Sequence, residues 1–169
     1  MKNALKQFKK YKHLVKNQDI MVYVDMTMPS YKQRLFVVDV KTGKILRDHH
    51  VAHGSKSNCK NNKAMACFFS NVIGSRKSSR GAMVTGKVYT WGKRFPTRNK
   101  LKLHGLIKGI NDNVAKRAIV MHSSNYVTDS YIRRMGRAGN SWGCLAVDPA
   151  ISDSLIDLIK DGTLVYVHA

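Results

Sequence analysis

Apolar residues first recur at helical spacing. In M-K-N-A-L-K-Q-F-K-K-Y-K-H-L-V-K, the set Leu5, Phe8, Tyr11 or Lys12, and Val15 predicts a short amphipathic helix, so residues 1–18 are expected to dock as a helix on the rest. From Ile20 the period changes to two. Ile20–Met26 reads as a strand, M-P-S-Y-K-Q (28–33) as a turn, and R-L-F-V-V-D-V (34–40) as a second strand. K-T-G-K (41–44) turns the chain, and I-L-R-D-H-H-V-A-H (45–53) returns as the hairpin partner. Residues 54–82, rich in Gly, Ser, Asn and Lys with Phe68–Phe69 as an island, predict a long, mostly irregular segment, a kind that is usually functional or disordered. G-A-M-V-T-G-K-V-Y-T-W (81–91) and L-K-L-H-G-L (101–106) are strands around a basic loop, G-K-R-F-P-T-R-N-K. R-A-I-V-M-H (117–122) is a short apolar strand ending in histidine. A helix starts at Thr128 or Asp129 and stops at Gly136. Asp148-Pro149 opens another, with Ile151, Leu155, Leu158 and Ile159 on one face and Gly162 past its end. T-L-V-Y-V-H-A is a buried closing strand. No repeat or linker interrupts residues 19–169, which predict a single domain, mostly β with short helices.

Length and charge narrow what such a domain does. At 169 residues it buries a core without needing disulfides, and no run is long enough to span a membrane. The lysine-rich start lacks the apolar segment of a secretory signal, so the chain is expected to be cytoplasmic when synthesised, or exported by a route not written in it. A membrane-surface role for the first helix is the lesser reading. Thirty basic residues against ten acids give a net charge of +20, more than solubility needs. That implies an anionic partner: nucleic acid, an acidic wall polymer or a membrane face. Basic residues flank Tyr89, Trp91 and Phe95, but no nucleic-acid motif is present and the bases are spread along the chain, so no specific nucleic acid is expected. Of three cysteines at least one stays free in a monomer. Cys59 and Cys67 can pair, although nothing in the sequence demands it, and their spacing is not that of paired C-x-x-C metal ligands. No metal or cofactor is expected.

The third cysteine lies in G-R-A-G-N-S-W-G-C-L-A-V (136–147). A buried free cysteine that merely packs is the commoner case. A nucleophile needs a base within reach and donors for an oxyanion. His122 ends a strand expected to be central. Ser141-Trp142-Gly143-Cys144 is a tight segment whose N–H groups can converge, and Gly143 lets a carbonyl approach the backbone. An imidazolium beside the sulfur would lower the thiol's pKa. Spacing alone leaves this level with two unrelated core residues.

I-V-M-H-S-S-N-Y-V followed by G-R-A-G-N-S-W-G-C-L-A-V resembles the signature of the L,D-transpeptidase catalytic-domain family, in the branch with Ser-Trp-Gly-Cys. V-A-H-G, F-S-N-V-I-G-S and L-H-G-L-I-K-G-I-N-D-N-V-A-K-R-A-I-V-M-H resemble it in the same order, so the likeness covers residues 20–169. It implies an L,D-transpeptidase-like fold, a β-sandwich or mixed sheet. Cys144 would be the nucleophile and His122 the base, with the Ser123 carbonyl orienting the imidazole and N–H groups around Trp142, Gly143 and Cys144 forming the oxyanion hole. Such enzymes attack the L-centre carbonyl, usually of diaminopimelate, in a peptidoglycan stem, expel D-alanine and form a thioester that an amine or water resolves. Small size, strong positive charge and the missing signal favour water: a lytic, phage endolysin-like hydrolase acting on the wall after release. Formation of 3→3 cross-links is the alternative, and a non-catalytic wall binder is disfavoured by the intact His and Cys. A monomer is expected.

Departures from the family pattern and weaker candidates complete the set. Asn140 stands where relatives often carry arginine, and Leu145 where this branch often has proline; Arg137 is a possible substitute for the arginine. Ser141 belongs to the substrate side of the motif. Trp142, in place of a second histidine, either packs or walls the substrate slot. Tyr126 gates the pocket or, as the better reading, fills the core. His53 lies near the site at a strand end or is structural. Ser70 and Asn71 line the cleft or bond within their loop, while His49, His50, His104 and His168 are read as satisfied or exposed side chains.

Overall fold

The computed structural model describes residues 2–90 and 99–169. Trp91, and the expected basic loop as far as residue 98, lie outside the described residues.

Helix α1 (Lys2–Tyr11) turns Ala4, Phe8 and Tyr11 inward, against Met21, Tyr23, Val38, Ala82 and Leu164. Strand β1 (Ile20–Asp25) is buried on both faces. Ile20, Val22 and Val24 enter one core cluster, while Met21 and Tyr23 meet the cluster beneath α1, as the two-residue period of a strand requires. β2 (Leu35–Asp39) and β3 (Ile45–His49) follow antiparallel to it. On its other side lies the C-terminal strand β12 (Leu164–His168), parallel to β1. The closing strand is therefore interior. Beyond it come β7 (Gly81–Thr90), β8 (Asn99–Gly105), β9 (Val120–Ser123) and β11 (Leu145–Val147), in the order β11-β9-β8-β7-β12-β1-β2-β3. The mixed sheet curls into a nearly closed barrel.

Two more helices pin this sheet. Helix α3 (Pro149–Ile159) begins where Asp148 accepts the Ala150 N–H at 2.8 Å, with proline in the first turn. Its Leu155, Ile156 and Ile159 are buried in the first core cluster, each worth about 1.5–3 kcal/mol of transfer free energy. Helix α2 (Asp129–Met135) is capped by the Thr128 hydroxyl, which accepts from Tyr131 N, and ends at Gly136 in the left-handed region. Among the described residues no helix is long and apolar enough to cross a membrane.

Three regions differ from the sequence-based expectation. The helix expected over residues 1–18 ends at Tyr11 and is followed by a single 3-10 turn, Lys12–Leu14. Residues 54–82 are more ordered than their composition suggests. They contain β5 (Asn58–Cys59) and β6 (Asn62–Ala66), a bridge between Phe69 and Ser78, and a Cys59–Cys67 disulfide; β4 (His53–Gly54) leads into them. Arg117 holds the far half of the segment. It donates to Ser70 O, to Ser79 Oγ at 2.6 Å, to Ser75 Oγ at 3.1 Å and to Lys77 O at 2.6 Å. Such order comes from distant partners and leaves no periodic trace. The strand expected from Arg117 starts only at Val120, because Arg117 and Ala118 turn the chain, with Ala118 at φ 53°.

Candidate active site

β9 and β11 are parallel neighbours, with Leu145 opposite Met121 and Ala146 opposite His122. Extended by one residue, this register sets Cys144 level with Val120, whose N–H is among the groups that favour a negative sulfur. Val120 and His122 share one face of β9; Cys144 and Ala146 continue it. Sγ–H also points at the Ala118 carbonyl, 3.8 Å away. The face extends in register through Lys100 on β8, opposite His122, and Tyr89 on β7, opposite Lys100. A cleft of about 430 Å³ opens beside it, between Tyr89, Lys102, His104, Ala118, Ile119 and Val120. Ser70 and Asn71 line a different cavity, of about 340 Å³, with Lys77 and Arg80.

His122 is nearly buried. Its Nδ1 lies 2.8 Å from the Ser123 carbonyl oxygen, which assigns the ring proton to Nδ1 and the lone pair to Nε2. Burial pushes its pKa down; the Ser123 bond opposes this and the Lys100 charge reinforces it. Burial pushes the Cys144 thiol up, against the pull of the Val120 N–H, Lys100 and Arg117. Both groups therefore rest neutral. The lowered thiol pKa anticipated from an adjacent imidazolium is not found, because desolvation dominates. The charge of a thiolate here reaches Tyr89, Arg117 and Tyr126; burial is the larger influence on each, and it pushes Tyr126 up to about 12.

The loop that leads to Cys144 is tied internally. Ser141 Oγ donates to Cys144 O at 2.7 Å and accepts the Gly143 N–H at 3.1 Å. That N–H is thus committed, a correction to the expected oxyanion hole, for which the N–H groups of Cys144 and Trp142 remain as candidates. Gly143 has φ 116°, and a Cβ there would sit 2.7 Å from Lys77 O and 2.8 Å from Ile119 Cδ1. Trp142 does not pack in the core. It is 69% exposed, with the Arg76 guanidinium 4.3 Å from its ring centre.

Other candidates fall into place around this loop. Arg137 donates to Asn140 Oδ1 at 3.1 Å and to Ala138 O. Tyr126 is half-buried against Ala52, Val127, Ile132, Ala138 and Ala146. His53 is completely buried and cannot touch a substrate. It bonds Arg34 and Asn58, and its pKa is pushed down to about 4 by burial and then by Arg34. Lys100, Tyr89 and Arg117 were missed. The alternation Lys100, Lys102, His104 was visible in the sequence, but nothing local tied it to His122.

Comparison with known proteins places the fold. The sequence profile of the L,D-transpeptidase catalytic domain matches residues 1–168. No curated protein matches significantly in sequence. Solved structures with the same fold include an L,D-transpeptidase from Mycobacterium smegmatis (14% identity, 89% of this chain and 59% of that one, TM-score 0.52). Others are an L,D-transpeptidase from Stackebrandtia nassauensis (17%, 92% and 58%, 0.52) and Bd1075 from Bdellovibrio bacteriovorus (13%, 90% and 50%, 0.52). The chain spans between half and three-fifths of these proteins, and at such identities the likeness speaks for the fold alone.

Proposed function

The chain belongs to the L,D-transpeptidase catalytic-domain family, and from that membership we propose that it is a cysteine acyl enzyme of peptidoglycan stem peptides that hands its thioester to water. The observation that carries this reading is the register of β11 on β9, which lines up Cys144 and His122 on one face beside an open cleft. His122 Nε2 takes the Sγ proton as sulfur attacks the carbonyl of the L-configured third stem residue. The Cys144 N–H stabilises the oxyanion, with that of Trp142 as second donor. Collapse expels the D-alanine nitrogen, which takes the proton from the imidazolium. Water then gives its proton to Nε2, attacks the thioester, and releases a carboxylate and the thiol.

Hydrolysis is favoured over cross-linking by the acceptor side. Asn140 stands where relatives often carry arginine, its amide is engaged by Asn58 and Arg137, and Trp142 replaces a histidine. Positive charge draws the enzyme to the anionic wall. The test is a 4→3 cross-linked muropeptide dimer digested in ¹⁸O-water and followed by mass spectrometry. Label in a new tripeptide carboxylate, with D-alanine left on the partner stem, is expected. New 3→3 dimers with little labelled tripeptide would replace this reading with transpeptidation.

A further inference from the structure

A polar chain reaches the nucleophile's loop from inside the protein. Arg34 is fully buried and donates to Val51 O, to Met28 O and, at 2.7 Å, to His53 Nδ1. A guanidinium only donates, so Nδ1 accepts and the His53 proton sits on Nε2, which donates to Asn58 Oδ1 at 2.8 Å. Asn58 and Asn140 then pair amide to amide. Asn140 Nδ2 donates to Asn58 Oδ1 at 3.0 Å, and Asn58 Nδ2 donates to Asn140 Oδ1 at 3.3 Å. Asn140 opens the short strand β10 (Asn140–Ser141), which lies parallel to β4 with Asn140 opposite His53. The next residue, Ser141, grips both Gly143 N–H and Cys144 O. Only three residues therefore separate Asn140 from Cys144, and every polar bond along the way has a fixed direction.

Asn58 owes its own place to the neighbouring disulfide. It precedes Cys59 on a two-residue strand whose register slips between those two residues. The Cys59–Cys67 bond closes this hairpin, and Ser57 O receives the Cys67 and Phe68 N–H groups beside it. Opening the bond releases a partly exposed strand with few backbone bonds. Asn58 then has to be ordered at the expense of conformational entropy each time it meets Asn140.

We propose that Asn58 is a positioning residue for the nucleophile's loop and that the Cys59–Cys67 disulfide sets it, making the enzyme fast when the bridge is closed and slow when it is open. The bridge forms by exchange with a disulfide oxidant such as oxidised glutathione. The two protein thiols lose two protons and two electrons, and the oxidant leaves as two thiols. A reducing compartment thus holds the enzyme slow, and an oxidising one releases it. The substrate in this inference rests on the reading above; the geometry does not.

The test is a cycle of bridge state against Asn58→Ala, a partly exposed position where water can replace the amide. Intact mass identifies one free thiol in the closed enzyme and three in the open one. On the cross-linked muropeptide, opening the bridge should lower kcat about tenfold at unchanged KM, the scale expected when a reacting group is misplaced by a fraction of an ångström. Asn58→Ala with the bridge closed should lose a similar factor, and opening its bridge should add little, because the two act through one route. Cys59→Ser/Cys67→Ser should match the open enzyme without reductant. Amide exchange over residues 138–145 should show the same non-additive pattern. Losses that multiply, or a wild type indifferent to reduction, would overturn the proposal. If no muropeptide is turned over at all, the functional reading fails, and the exchange data alone decide whether Asn58 holds the loop.

Discussion

Replacing Gly143 with alanine tests whether the loop before Cys144 is fixed by close packing. The residue has φ 116°, and a Cβ would meet the Lys77 carbonyl oxygen at 2.7 Å and Ile119 Cδ1 at 2.8 Å. The oxygen belongs to a backbone that Arg117 clamps at that same carbonyl, so it cannot withdraw cheaply. Gly136 supplies the control, having φ 70° and nothing within 4 Å of a Cβ. Gly136→Ala therefore pays only the left-handed backbone cost of about 1–2 kcal/mol. Gly143→Ala adds crowding of about 1–3 kcal/mol to a backbone strain of about 1–3 kcal/mol, together about 4 kcal/mol. At about 2–4 °C per kcal/mol for a chain of this size, its midpoint should fall about 8–16 °C, clearly further than the control. Its kcat should drop at least about 10²-fold, because relief of the clash moves Cys144 by a large part of an ångström. Thermal melts and single-turnover digestion of a muropeptide measure both. A Gly143→Ala enzyme that melts within about 3 °C of Gly136→Ala, or keeps kcat within about threefold of wild type, would refute the packing argument.

Cys144→Ala should abolish turnover and leave the melting curve in place; residual thioester chemistry would remove Cys144 from the mechanism. His122→Ala should slow acylation by about 10²–10⁴-fold, the usual worth of a positioned base, and a loss under threefold would assign the proton to another group. Lys100→Met should move the acid limb of the kcat/KM profile to higher pH, because the Lys100 charge helps hold His122 below its ordinary pKa; an unmoved limb would end the Lys100 argument. His53 has a folded pKa of about 4 against about 6.5 unfolded, so between those values the unfolded chain binds more protons and stability rises with pH. The contribution is complete above pH ~6.5 and falls by about 3 kcal/mol as pH drops toward 4. Urea midpoints across that window should flatten in His53→Gln, and an unchanged slope would show that another group carries the acid sensitivity.

What the sequence disclosed follows the range of the forces involved. The strands with a two-residue period and the helix after Asp148-Pro149 are set by local pattern and are found close to their expected bounds, whereas the basic helix at the start, expected to residue 18, ends at Tyr11. A glycine-rich turn and a strand end are local signals that drew attention to Cys144 and His122, but they left the pair level with two core residues, and only the resemblance of the longer motif singled them out. The partners that tune them could not. Lys100 lies beside His122 only because β8 pairs with β9 in one register, and Arg117 reaches the loop of residues 70–79 across some forty positions of chain. The disulfide was a permitted pairing, and permission is all that a spacing of eight provides. His53 illustrates the reverse error. Its neighbourhood to the site was legible, but its complete burial depends on Arg34, a charge that the sequence presents as an ordinary strand start.

Positive charge acts on this protein at two distances, and the two effects separate binding from chemistry. Residues 49–111 contain thirteen lysines and arginines and no Asp or Glu. Among the described residues most of these side chains face solvent, where salt screens their charge beyond about 8–10 Å, so on the proposed reading they would gather an anionic polymer without altering the thiol. Lys100 is different, being 5% exposed and opposite His122. In the resting enzyme it opposes protonation of the imidazole and meets a sulfur that burial keeps protonated. In the proposed attack the sulfur and then the carbonyl oxygen would carry negative charge, and the Lys100 and Arg117 side chains would become favourable. An interaction that strengthens only as charge develops lowers the barrier without tightening the ground state. Desolvation of Cys144, which alone would argue against a catalytic thiol, is then compatible with one. On the proposed mechanism it would keep the sulfur in its less reactive thiol form until a substrate is seated, while buried Lys100 and half-buried Arg117 would reserve their stabilisation for the charged states along the reaction.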